Sequence, residues 1–176
     1  QEANIRDTHR GFLVRLYNVF SFFVIYANID GFAAGSADRP AAATGWRPAP
    51  ERAELDRWII SELHRTIAAV CDRLDRFENY PAAQRLSDFV DALSNWYVRR
   101  SRDRFWHAER DQDKWDAYNT LHEVLLTLSR LLAPFTPFFA ETLYQNLTGL
   151  DLADDPAAPA AAWPRSVHLC DYPQAD

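Results

Sequence analysis

The sequence predicts an all-α fold, an antiparallel helical bundle of about five helices. Three observations lead there. Apolar residues recur at intervals of three and four along most of the chain. No stretch alternates apolar and polar residues as a half-buried strand does. The periodic segments are separated by Gly, Pro and polar clusters, which places their breaks at turns. With 176 residues, of which 48% are hydrophobic and 25% charged, the chain is large enough to bury one sizeable core.

The elements follow in order. Residues 3–28 read as a helix, with Phe12, Leu16, Phe20 and Phe23 on one face, and Asp30-Gly31 ends it. The Gly-, Ala- and Pro-rich segment 31–50 reads as a surface connection. A second helix is expected from about Glu51 to Asn79, its stripe formed by Leu55, Trp58, Ile59, Leu63, Ile67, Val70, Leu74 and Phe77. Tyr80-Pro81 breaks the chain, and Pro81 suits the first position of a third helix reaching about His107. The polar turn 109–114 leads to a fourth helix, about Trp115 to Leu132, with Tyr118, Leu121, Leu125, Leu128 and Leu132 inward. Thr136 suits an N-cap and Pro137 the first position of a fifth helix ending near Leu147 and Gly149. An Ala/Pro-rich loop at 151–165, which holds Asp154 and Asp155, and a short extended tail complete the chain.

Several function classes lose support. There is no Gly-rich phosphate loop, and the one lysine, Lys114, follows an aspartate rather than a glycine. No Gly-x-Ser-x-Gly elbow appears. His9, His64, His107, His122 and His168 are scattered, with no pair at metal-ligand spacing, and Cys71 and Cys170 stand alone; packing or surface positions are expected for all of them. No run of about 18 apolar residues is apparent, so no membrane association is expected. The absence of Met reads as a piece of a longer protein.

One stretch departs from this bland picture. "LSNWYVRRSRDRFW", residues 93–106, holds two Trp, a Tyr, a Phe and four Arg in a chain of net charge −6. Projected at about 100° per residue, Leu86, Phe89, Leu93, Trp96 and Tyr97 share an inward face that continues into Arg100 and Arg104. Those two arginines are expected to be buried and structural, tied to acidic or carbonyl partners such as Glu141. Asn95, Arg99, Arg102 and Trp106 form an outward stripe, with Asp91 and Asp103 near enough to weaken its field. Tryptophan and arginine together suit unpaired bases and phosphates, so these four are the candidate nucleic-acid contacts. A solvated face, or a hot spot for a protein partner, would use the same residue types.

This stretch, together with "AYNTLHEVLLTLSRLLAPFTPFFAETLYQNL" after it, resembles the anticodon-binding domain of isoleucyl-tRNA synthetases, class I aminoacyl-tRNA synthetases. "FFVIYANIDGF", "LDRWIISEL" and "SVHLCDYP" agree, so the similarity covers nearly the whole chain outside the loops at 33–50 and 149–165. Valyl and leucyl enzymes carry a related domain; Arg99 and the full "NWYVRRSR" string favour the isoleucyl family. The resemblance implies that residues 1–30 join from a catalytic domain, 31–50 form a loop, 51–149 form the anticodon-binding bundle and 150–176 a loop and tail. It implies tRNA(Ile) as partner, a cytoplasmic location and a monomer. It also implies no catalytic residue and no cofactor in this chain. The family's His-x-Gly-His and Lys-Met-Ser-Lys-Ser signatures, which serve ATP- and magnesium-dependent aminoacylation, are not in this sequence, and the zinc of some members belongs to other segments.

Overall fold

A computed structural model describes residues 9–35, 43–149 and 163–176. The start of the first helix before residue 9, and the loop positions 150–162 with Asp154 and Asp155, lie outside the described residues. Among the described residues every regular element is helical. A wide turn, His9–Val14, runs directly into α1 (Arg15–Asp30). Then come α2 (Glu54–Asp75), α3 (Asn79–Ala92), a second wide turn (Leu93–Val98), α4 (Arg99–Trp106), α5 (Gln112–Leu132) and α6 (Pro137–Thr148). Because α3, its wide turn and α4 are continuous, the bundle has five helical runs.

The fold is built around α5. Of its 21 residues, 15 are buried, including all five expected to face inward, so this helix is the central post rather than a surface helix. α6, α2, α4 and α1 all pack on it, and α3 completes the wall against α2. Tyr118 of α5 is a hub. Phe105 of α4 meets it edge-on at 4.8 Å and Phe32, just beyond α1, stacks on it at 5.3 Å. Phe22 of α1 meets Phe105 at 5.0 Å. These rings tie the end of α4 to both α1 and α5. His122 donates from Nε2 to the Leu147 carbonyl at 3.0 Å; burial lowers its pKa, so it serves as a neutral strut at the end of α6.

Helix ends follow local chemistry. Gly31 and Gly149 close α1 and α6 at φ 69° and 68°, a conformation that costs glycine nothing. α2 ends earlier than its apolar stripe suggests. Phe77 adopts φ 60°, its N–H reaches Leu74 O, and the Glu78 N–H returns to Arg73 O. Phe77 therefore leaves the core and is 91% exposed, contrary to its expected place in the stripe. α3 begins at Asn79, so Pro81 lies inside its first turn, where no N–H is required. α5 begins inside the expected polar turn because the Asp111 carboxylate accepts from Lys114 N at 2.9 Å and caps it. Thr136 does occupy the N-cap of α6, but its buried hydroxyl makes no cap bond and has no partner among the described residues.

The segment read as a surface connection is docked at its far end. Asn119 holds Thr44 O at 2.9 Å and Gln112 holds Gly45 O at 2.8 Å. Arg47 pairs with buried Asp116, while Arg52, 5% exposed, bonds Thr120 and Glu123. Gly45 sits at φ +58°, and a Cβ there would lie 2.5 Å from Cβ of Trp115. Gly45→Ala is thus expected to destabilise the chain by about 2 kcal/mol, from strain and overlap together. A urea denaturation midpoint equal to that of the parent would refute this.

Gly11–Asp30 is, contrary to expectation, long and apolar enough to cross a membrane, with a mean hydropathy of 1.5 over an 18-residue window of its 20 residues. Its one buried face, Leu16, Val19, Phe20, Phe23 and Ala27, packs into the bundle. Its two charges are tied across helices, Arg15 to Asp91 and Asp30 to Lys114. A bundle helix accounts for the buried face and the paired charges, while Tyr17, Ile25 and Ile29 on the other side stay exposed.

Candidate nucleic-acid interface

The motif 93–106 is held by residues that point into the bundle. Leu93, Tyr97, Val98, Ser101 and Phe105 are all buried. Tyr97 donates to Asp56 Oδ1 at 2.7 Å. Asp56, fully buried on α2, is also gripped by both terminal nitrogens of Arg104, at 2.8 and 2.7 Å. Arg104 turns its remaining donors on Asp113, bonding the carboxylate at 2.9 Å and the backbone carbonyl at 2.8 Å. Burial alone would lower the pKa of Arg104, but the Asp56 hydrogen bonds and charge outweigh it and raise the pKa above its ordinary value. Burial, and then the nearby Asp56 charge, push the Tyr97 hydroxyl up as well, so it stays a neutral donor.

Arg100 does not share this role. It is exposed, and its guanidinium lies over the ring of Trp96 at 4.6 Å, a cation–π contact. Trp96, also expected inside, is 52% exposed. Glu141, proposed as a partner for these arginines, instead holds the tail, accepting from Ser166 Oγ at 2.8 Å and Val167 N at 3.0 Å.

The cause is the wide turn at Leu93–Val98, whose backbone bonds span five residues rather than four. A turn of that kind absorbs one extra residue, so the inward positions beyond it fall one place later. Trp96 yields to Tyr97, Arg100 to Ser101, and Arg104, at the margin with 14% side-chain exposure, to Phe105. A projection at constant pitch cannot register this.

The outward stripe is exposed throughout: Asn95, Arg99, Arg102 and Trp106. Asn95 is already engaged, donating to Asp91 at 2.9 Å. Asp91 is in turn paired with Arg15, which offsets the negative charge expected to weaken the stripe. Arg99 and Arg102 have no ion pair among the described residues. Trp106 is 54% exposed at the last residue of α4 and overhangs a recess of about 400 Å³ formed with Tyr26, Ile29 and the Asp30–Lys114 pair.

On the neighbouring face, Trp96 and Arg100 line a separate groove of about 740 Å³ with Trp58 and Leu55 of α2. Sequence reasoning placed Trp58 and Trp96 in the core. The available signal was the second tryptophan inside an arginine-rich motif, and it could be used only with the local pitch known.

The chain matches the family profile described as the anticodon-binding domain of tRNA ligase over residues 56–176. It is 50% identical over 175 residues to an isoleucine–tRNA ligase of Dehalococcoides mccartyi, covering 99% of this chain and 16% of that protein. It is 43% identical to the isoleucine–tRNA ligase of Porphyromonas gingivalis W83 over 98% of this chain and 13% of that protein. For the isoleucine–tRNA ligase of Clostridium novyi NT the identity is 42%, over 99% and 15%. The chain thus spans about one sixth, or less, of the length of these curated relatives.

Proposed function

Since the chain belongs to the anticodon-binding domain family of tRNA ligases, we propose that it is the tRNA-gripping bundle of an isoleucine–tRNA ligase, and that α4 and the turn before it meet the RNA. One observation carries the assignment of the site. On a chain of net charge −6, Arg99 and Arg102 stand exposed and without carboxylate partners among the described residues, beside an exposed Trp106. Guanidinium forks fit phosphate oxygens, and an indole fits the face of an unpaired base. Asn95, fixed by Asp91, supplies an amide at the start of the stripe.

In this reading the partner is tRNA(Ile), the chain acts as a monomer in the cytoplasm, and aminoacylation takes place elsewhere in the ligase. The relatives' names support the choice of tRNA and of parent activity. Among the described residues no three His, Cys, Asp or Glu side chains converge as a metal site would require. What these residues do is hold the RNA. Arg104, Tyr97 and Asp56 fix the helix from behind so that its outer face is presented without reorganisation.

The test is a titration of the chain with a tRNA(Ile) transcript and an anticodon-swapped transcript at two salt concentrations. Arg99→Ala and Arg102→Ala are each expected to weaken binding and to reduce the log–log salt slope by about 0.7–0.9, the loss of one phosphate contact. Trp106→Ala is expected to cost about tenfold with little change of slope, as for one lost base stack. Intact melting curves with unchanged affinity in all three variants would remove the site.

A further inference from the structure

The groove between α2 and the wide turn is a second feature of the same surface, and the stripe of Arg99, Arg102 and Trp106 does not use it. It is lined by Trp58, 36% exposed, Trp96, 52% exposed, Leu55 and Ala92. Arg100 and Glu54 also line it. The two indoles make no ring contact with each other, Arg100 covers one face of Trp96, and both indoles stay partly exposed. Arg100 has no carboxylate partner among the described residues either, and its guanidinium lies on Trp96.

We propose that this groove receives one unstacked base of the bound RNA, held against Trp58 and Trp96, with Arg100 meeting the phosphate of the same nucleotide. The proposal rests on the RNA-binding reading above and assigns a second, base-holding site to it. The chemistry favours a nucleotide over an apolar peptide side chain. An aliphatic anchor needs neither two indoles nor a cation at the rim, whereas a nucleotide is a flat π-face joined to an anion. Glu54 opposes a phosphate, so Arg100, the one cation lining the groove, is the group that can meet the anion, while the apolar walls suit the uncharged base. Arg100 is already stacked on Trp96, so its guanidinium is pre-oriented and little freedom is lost when the phosphate arrives.

The experiment compares two RNAs of equal length and charge: a hairpin carrying a seven-nucleotide unpaired loop, and a fully paired duplex. Trp58→Leu and Trp96→Leu keep apolar volume but remove the π-face, whereas Trp58→Phe and Trp96→Phe restore a smaller one. The proposal expects each Leu variant to bind the loop RNA about tenfold more weakly at unchanged salt slope. It expects the Phe variants to recover most of that loss, and duplex binding to stay unaffected. Arg100→Ala should reduce the salt slope by about one phosphate contact. Melting curves identify any variant that has lost its fold, and the Phe variants then carry the comparison. If the Leu variants bind the loop RNA as the parent does while Arg99→Ala and Arg102→Ala still weaken it, the groove is overturned as a base site and the stripe survives. Loss that Phe fails to rescue, equal on loop and duplex, also overturns it. If the parent chain binds neither RNA, both readings fall together.

Discussion

Asp56→Ala is expected to lower the melting temperature by about 10 °C, the consequence of about 3 kcal/mol lost when a buried pair is broken from one side. Asp56 is 0% exposed and receives three strong hydrogen bonds, one from the Tyr97 hydroxyl and two from the Arg104 guanidinium. Removing it leaves Tyr97 with a 3.5 Å approach to the Ala117 carbonyl and the neighbouring Thr120 hydroxyl, and leaves Arg104 with Asp113 alone. That remaining contact sets the cost toward the lower end of what an orphaned buried charge incurs. Asp56→Asn keeps an acceptor and should fall between the parent and alanine. Replacing the whole set together, as Asp56→Leu with Tyr97→Phe and Arg104→Met, should recover most of the loss, because no buried polar group is then left unpaired. Thermal melts of the three proteins decide the matter. An alanine variant melting within 2 °C or so of the parent would mean that the pair contributes little.

The second large effect concerns the chain's only lysine. Lys114 is 2% exposed, and its Nζ donates to Asp30 Oδ2 and to the His107 carbonyl, each at 2.7 Å. It thereby joins the first residue beyond α4 to the last residue of α1. Lys114→Met should cost about 3 kcal/mol at neutral pH, since Asp30 is left with the Tyr118 hydroxyl at 2.5 Å and the more distant Arg110. The effect should depend on pH. Burial pushes the Asp30 carboxyl upward, but hydrogen bonds from Lys114 and Tyr118 and the charges of Lys114 and Arg110 outweigh it and hold its pKa below the usual 3.8. A carboxylate depressed in the folded state stabilises above its unfolded pKa, and this contribution is lost as pH falls through the folded pKa. The gap between parent and Lys114→Met should therefore be full at pH 7 and shrink below about pH 4. Urea midpoints measured at both pH values test this. A gap that stays constant would show that Lys114 acts through packing of its stem alone.

The five helical runs were legible because their causes are local. The spacing of Leu121, Leu125, Leu128 and Leu132 sets a helical face, and all four are buried on α5. Gly31 and Gly149 stop helices wherever a left-handed residue is needed. The boundary errors were also local in origin. Asp111 caps α5 three residues ahead of the expected start, and Phe77 leaves its stripe because α2 ends in a left-handed turn that a bulky residue seldom adopts. The outward positions of Arg99, Arg102 and Trp106 were readable as a stripe, whereas the positions of Trp96 and Arg100 were not.

By itself the sequence determined the class of fold, the inward stripe of α5 and the concentration of arginine and tryptophan between residues 93 and 106, since these follow from periodicity and composition. Only the tertiary structure decided which side chains of that stretch work inside and which outside. Seating Tyr97 on Asp56 and Phe105 on Tyr118 requires one extra residue in the turn between them and α3. That wide turn packs against α1 and α2, residues distant in the chain. The rotation it imposes buries Ser101 and turns Trp96 and Arg100 out beside Trp58. Helical pitch is uniform only while neighbouring turns alone set it; here long-range packing sets it, and so the composition of the binding face was settled in three dimensions.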